Sequence, residues 1–210
     1  MACVTRIERA EFHYHVVAMA RPRSEEARQA ALDATVDLLL ATGVEGVTFD
    51  EVASRSGVAK TTLYRHFGTK QAMVVAAASS CFVELSTPDT GDLRLDLREI
   101  FDRWKDKEEV RRVPDLMPVL LSASDRDPDL HALVLAMLDE RRRPIRTVLQ
   151  LAQLRGEIDP DLDLDVAIAL LTGPFVQRRM IDRQEVTDEF RDAVLENVVA
   201  GLRASRQPTY

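Results

Sequence analysis

Apolar residues recur at three- and four-residue steps from the first third of the chain onward. Ala27, Ala30, Ala31, Ala34, Leu38 and Ala41 form one such stripe, which predicts a helix from Ser24 to about Thr42. Ser24 is a good N-cap, Glu25 and Glu26 complement the helix dipole, and Gly43 ends the helix. A second helix is expected from Thr48 to about Ser56. Thr48-Phe-Asp-Glu51 has the form of a capping box, in which threonine and glutamate satisfy each other's backbone donors. Gly57 supplies a turn at no steric cost for positive φ. A third helix covers about Lys60 to Phe67, Gly68-Thr69 breaks it, and Thr69 can cap a fourth helix running towards Glu84. After a loop from Ser86 to Gly91, five more helices are read: Leu93–Lys107, Val113–Ala123, Pro128–Leu154, Leu164–Arg179 and Thr187–Ala204. Pro144 is expected to kink the long one.

The stretch from Thr48 to Lys70 carries the most information. Two helices joined by a short turn at Gly57 have the spacing of a helix-turn-helix. Ala53 is small where the helices cross, and Val58 and Leu63 point inward. Lys60, Thr61, Thr62, Tyr64, Arg65 and His66 are then left on or near the outer face. Such groups suit a helix that enters a DNA major groove N-terminus first.

Charge sharpens this reading. The net charge of −7 argues at first against nucleic acid. Residues 1–70, however, carry as many basic as acidic groups, and residues 71–210 carry the whole excess of acid. Val52 to Lys70 holds Arg55, Lys60, Arg65 and Lys70 and no acid. A basic segment on an acidic protein is a local footprint for phosphates, and the acidic remainder favours one docking orientation.

The spaced residues Thr48, Val52-Ala53, Ser56-Gly57-Val58-Ala59, Thr62-Leu63-Tyr64-Arg65-His66-Phe67 and Lys70 resemble the DNA-binding signature of the TetR family of bacterial regulators. The close resemblance covers about residues 24–75, and the rest matches in helix count and spacing. It implies that Thr48, Tyr64, His66 and Lys70 touch phosphate. Lys60, Thr61 and Thr62 would contact bases or phosphates, and Arg65 would reach a base edge or a phosphate. Ser56 stands where the family usually has alanine, Ala59 where it usually has serine, and Thr61 where glycine is common. The cap of the recognition helix is therefore expected to be missing, a loss of about 1 kcal/mol.

The resemblance also implies the plan of the whole chain. It is all-α with about nine helices: a disordered extension over 1–20, a three-helix DNA-binding domain over 21–70, and a ligand-binding and dimerisation domain over 71–205. Dimerisation would use about 164–179 and 187–204. The first of these segments is apolar almost all round, and the second shows Phe190, Val194, Val198 and Leu202 at four-residue spacing. The alternative, that both close the monomer's own core, stays open. Phe101, Trp104, Met117, Leu121, Met137 and Phe175, with Leu120, Leu138 and Met180, are candidate lining for an effector pocket, or else ordinary core. Such lining suits an apolar ligand. The expected partners are double-stranded DNA, a second copy of the chain and a small-molecule effector, with no cofactor or metal.

Other features are expected to be bland. His13 and His15, with Cys3 nearby, sit on what reads as a mobile tail, and translation starting at Met19 would remove it. Asp159, Asp161, Asp163 and Asp165 alternate like a calcium loop, but the glycine and terminal glutamate of such a loop are missing, so they read as a helix cap. Arg141-Arg142-Arg143 reads as a solvated face. Two cysteines are too few for a disulfide framework and fit a cytoplasmic setting, with Cys81 in the core. No eighteen-residue apolar run suggests a membrane span. No nucleophile–base pair, phosphate loop or metal spacing points to an all-helical enzyme. A repressor released by ligand leads, with an activator or a ligand-independent regulator as the alternative.

Overall fold

The computed structural model describes residues 5–82, 86–102 and 112–204, with side chains from Ser24 onward. Nine α-helices, one π-helical turn and no strand are found among the described residues. They divide into two compact units, Met1–Ala77 and Ala78–Tyr210.

The first unit holds α1 (Thr5–Gly46), α2 (Phe49–Ser56), α3 (Lys60–Phe67) and most of α4 (Lys70–Ser80). Helix α1 starts well before Ser24, so the extension expected to be mobile is helical from Thr5 and Ser24 lies inside the helix. The residues from Arg6 to Ala20 include Glu8, Arg9, Ala10 and Glu11, all compatible with a helix that needs no cap at Ser24. The histidine side chains at 13 and 15, and all of Cys3, lie outside what is described. At the other end, Gly43 takes φ 71° and ψ −177° and interrupts the helix, as its position in the sequence predicts.

The buried face of α1 is wider than the alanine stripe. Ala31, Leu32, Thr35, Val36, Leu38 and Leu39 are all buried, whereas Ala41 is exposed. The reason is that α1 packs against both α2 and α3, so two sides of it are covered. Val47, Val52, Leu63 and Met73 are also fully buried in this part of the chain.

The second unit contains α5 (Leu93–Asp102), α6 (Val113–Ser124), α7 (Pro128–Leu154), α8 (Leu164–Val176), the π-helical turn Gln177–Ile181 and α9 (Asp188–Ala204). Residues 103–107, expected to extend α5, and Trp104 among them, lie outside the described residues. Helix α7 is continuous across a buried Pro144. Its core is formed by α5, α7, α8 and α9, with Leu97, Phe101, Val148, Leu171, Phe175 and Leu195 at its centre. Phe101 stacks on Phe175 with ring centroids 4.5 Å apart, and Phe190 meets Phe175 edge-on at 5.8 Å.

Buried charge ties these helices together. Arg191 of α9 is 1% exposed and is bound by Asp102, Asp188 and Asp192. Asp96 of α5 is fully buried and accepts from the backbone and hydroxyl of Thr90, each at 2.7 Å. Glu157 receives Arg155, Arg203 and the Leu93 N–H, which closes one end of α5. The aspartate alternation behaves as a cap: the Asp163 carboxylate accepts from Asp165 N–H at 2.8 Å and from Val166 N–H at 3.4 Å. Cys81 is buried. Among the described residues no helix is long and apolar enough to cross a membrane, and no cluster of three His, Cys, Asp or Glu side chains could hold a metal ion.

Candidate nucleic-acid interface and cavity

Helix α2 begins where its sequence places it. Thr48 is extended (φ −132°, ψ 157°) and its hydroxyl accepts from Glu51 N–H at 3.1 Å. Gly57 adopts the left-handed conformation (φ 70°, ψ 5°) and donates to the Ala53 carbonyl at 3.0 Å, which ends α2 and starts the turn. Ser56 has a part in this turn that sequence reasoning missed. Its hydroxyl donates to the Val52 carbonyl at 2.6 Å and accepts from Val58 N–H at 3.2 Å. A small hydroxyl residue beside the turn glycine was the available signal. Ala59 precedes α3 without any side-chain cap, as its identity requires.

Helix α3 presents a short, mixed face. Leu63 is fully buried and fixes the rotation of the helix. Lys60, Thr61, Tyr64 and Arg65 are consequently exposed, and Thr62 and His66 are half-buried. The Tyr64 ring stacks on Phe49 of α2, with centroids 4.0 Å apart and planes at 26°, so it is positioned from two helices. His66 Nε2 lies 3.4 Å from the Ser24 hydroxyl, which joins the end of α3 to α1. Thr69 accepts from Ala72 N–H at 3.1 Å and caps α4 as expected. Lys70, the first residue of α4, donates to the Glu45 carbonyl at 3.3 Å. Thr48, Lys60, Thr61, Thr62, Tyr64, Arg65, His66 and Lys70 all therefore belong to one small unit.

Lys60 departs from its expected setting. Its ammonium is held by the carboxylate of Asp50 on α2. That hydrogen bond raises the lysine pKa above its ordinary value, with burial opposing and the nearby Asp50 charge adding to the rise. The acid-free window from Val52 to Lys70 is thus compensated from just outside its boundary, because the turn at Gly57 folds α3 back towards the start of α2.

The second unit holds a partly open cavity of about 170 Å³ between α6, α7, α8 and the π-helical turn. Met117 and Phe175 line it, together with Leu138 and Met180. Phe101 does not, because it sits on the far side of Phe175 in the core. Leu121 is 42% exposed on α6, and Met137 is buried away from the cavity. Helical spacing could not decide which face of each helix turns towards the void. Arg141 and Arg142 also line the cavity instead of forming a wholly solvated run, and Arg179 joins them from the π-helical turn.

The family profile described as "Bacterial regulatory proteins, tetR family" matches residues 31–77. That described as "Tetracyclin repressor-like, C-terminal domain" matches residues 87–198. The chain is 29% identical to the HTH-type transcriptional regulator YdeS of Bacillus subtilis, over 88% of this chain and 94% of that protein. It is 31% identical to the DNA-binding transcriptional repressor TetR of Mycobacteroides abscessus, over 71% of this chain and 82% of that protein. Among solved structures, it superposes on the TetR family transcription regulator SCO0332 with a TM-score of 0.60 and 32% identity, covering 84% of this chain and 98% of that one.

Proposed function

Because the chain belongs to the TetR family of helix-turn-helix transcriptional regulators, we propose that it acts as a homodimeric repressor at a palindromic operator and is released by a small molecule bound in the cavity. Its work is then regulatory and not catalytic, carried out in the cytoplasm where the chromosome lies. The observation that carries the dimer is the outer face of α8. Val166, Leu170 and Val176 are 51%, 52% and 44% exposed, and Ala169 and Gly173 share their side of the helix. The opposite side, Ala167, Ile168, Leu171 and Phe175, fills the core. A helix apolar on both sides needs cover from outside the chain.

Two glycines support this. Gly173 of α8 and Gly201 of α9 are exposed, and a Cβ at either would meet nothing within 4 Å. Neither glycine is required by the chain's own packing, although glycine within a helix costs about 1 kcal/mol relative to alanine. Close approach of a second copy gives both a use. The stripe of Phe190, Val194 and Val198 is only partly available to a partner, since these side chains already pack against the core. Ala193, Asn197 and Gly201 form the outer side of α9 instead.

Two-fold symmetry would set the recognition helices one DNA turn apart. Thr48, Tyr64, His66 and Lys70 would then hold phosphates, while Thr61, Thr62 and Arg65 would face the groove. Ligand would favour a dimer in which the two α3 helices are wrongly spaced. Selection on random duplexes tests the reading: a palindrome with half-sites about one helical turn apart is expected. An asymmetric site, or no enrichment, would overturn the dimeric arrangement.

A further inference from the structure

We propose that Arg183 and Asp115 form a latch across the rim of the cavity, which gates the passage of small molecules into it. Its regulatory use rests on reading the cavity as the effector site. Two walls of the cavity belong to elements far apart in sequence. Helix α6 supplies Val113, Pro114 and Met117, and the π-helical turn supplies Met180. Asp115 follows Pro114 directly, and Arg183 stands three residues beyond Met180. Their side chains meet at 2.6 Å and so tie one wall to the other. Both are more than half exposed, which puts the pair where the walls reach solvent, on the open side of the cavity.

The backbone at Arg183 is shaped for this reach. It is the one non-glycine residue with positive φ, 55°, among the described residues. Glycine or asparagine would take that conformation at less cost, and a longer side chain holds it only where the surroundings over-determine it. Here they do. Asp182 N–H donates to the Gln177 carbonyl at 3.0 Å, and Gln184 N–H to the Arg178 carbonyl at 2.9 Å. The Arg178 guanidinium donates to the Glu185 carbonyl at 2.6 Å and lies 4.4 Å from the centre of the Phe190 ring. The residues on either side of Arg183 are thus fastened to the π-helical turn, and through Arg178 to α9, while its own side chain is sent out to α6.

A latch must also open. An ion pair this exposed is weak, because it sits in high dielectric and exchanges readily for water. It closes the end of a π-helical turn, a form of helix that recurs at functional sites. Neither Asp115 nor Arg183 lines the cavity, so the pair controls entry without adding to the contacts a bound molecule makes.

Entry is measurable without knowing the effector. Met117 is 3% exposed and lines the cavity, so Met117→Cys places a thiol inside it. Methyl methanethiosulfonate is small and uncharged, and peptide mass spectrometry reads its rate at position 117 in the full-length chain. With reagent dilute enough that closing outruns reaction, the rate follows the open population. Asp115→Asn and Arg183→Gln should each raise it about two- to fivefold, the range an exposed ion pair supports, and no further when combined. Exchanging the charges, Asp115→Arg with Arg183→Asp, should return it towards the parent value. Salt at about 1 M should speed the parent and not the single variants. Rates unchanged by either substitution, or raised equally by the charge exchange, would overturn the latch. So would a rise matched at the buried Cys81, which reports general loosening of the unit. The latch is judged by entry alone, so a protein whose DNA affinity ignores every occupant of the cavity would overturn ligand release and leave the latch standing.

Discussion

The Lys60 ammonium lies 2.7 Å and 2.8 Å from the two carboxylate oxygens of Asp50, so the first charge of the recognition helix is neutralised by the preceding helix. Both side chains are exposed, and such a pair exchanges readily for another partner. DNA phosphate would have to compete with Asp50, and the carboxylate left behind would face the DNA's negative potential. Asp50→Asn should therefore strengthen binding to unrelated duplexes more than to the operator. The dependence of log affinity on log salt should steepen by about 0.9, one phosphate's worth. Anisotropy titrations over a range of salt would check this; weaker binding on every sequence would instead mean that Asp50 aims Lys60.

Ser56 holds the turn through two hydrogen bonds, one to the Val52 carbonyl and one from Val58 N–H. Ser56→Ala removes both and is expected to cost about 1 kcal/mol, a drop of several degrees in melting temperature. Thermal denaturation followed by circular dichroism measures it. An unchanged melting temperature would show that water replaces the hydroxyl.

The outer face of α8 gives a separable prediction. Leu170 is about half exposed, so Leu170→Glu should leave the monomer folded while abolishing the dimer. A Cβ at Gly201 meets nothing within 4 Å, so Gly201→Leu should act the same way by obstructing a partner. Sedimentation velocity distinguishes monomer from dimer. A dimer that survives both substitutions would place the interface elsewhere.

Acid should loosen the second unit. Hydrogen bonds from Arg191 hold Asp192 below the ordinary carboxylate range against the opposing effect of burial, with Arg98 and Arg94 helping. The Leu95 N–H does the same for Asp92. At Glu157 burial pushes upward but is outweighed by Arg155, the Leu93 N–H and Arg203. A carboxyl whose folded pKa is depressed contributes fully above its unfolded value, about 4, and loses that contribution as pH falls through the lower folded value. Melting temperature should thus be steady from neutral pH down to about 5 and fall below about 4. Asp192→Asn should flatten the acid limb, and a limb unchanged by it would remove Asp192 from the account.

Much of the first unit was legible because its signals are local. The Thr48 cap, the Gly57 turn, the uncapped Ala59 and the Thr69 cap each depend on residues within a few positions, and each is found in the structure. Charge was less legible. Counting acids within a window missed Asp50, ten positions from Lys60 in sequence and in direct contact in space. The start of α1 lies at Thr5 and not at Ser24, since a good cap residue marks a possible start and does not oblige a helix to begin there.

The sequence by itself determined the helix-turn-helix and the place of most helices, since short-range periodicity and capping are written in neighbouring residues. Only the tertiary structure decided which apolar faces are core and which are left outward, as on the two sides of α8. It alone brought Arg141, Arg142 and Arg179 to one cavity, buried Arg191 among three aspartates and set Asp50 on Lys60. These contacts join residues on separate helices, and their geometry follows from how the helices pack, which no local pattern encodes.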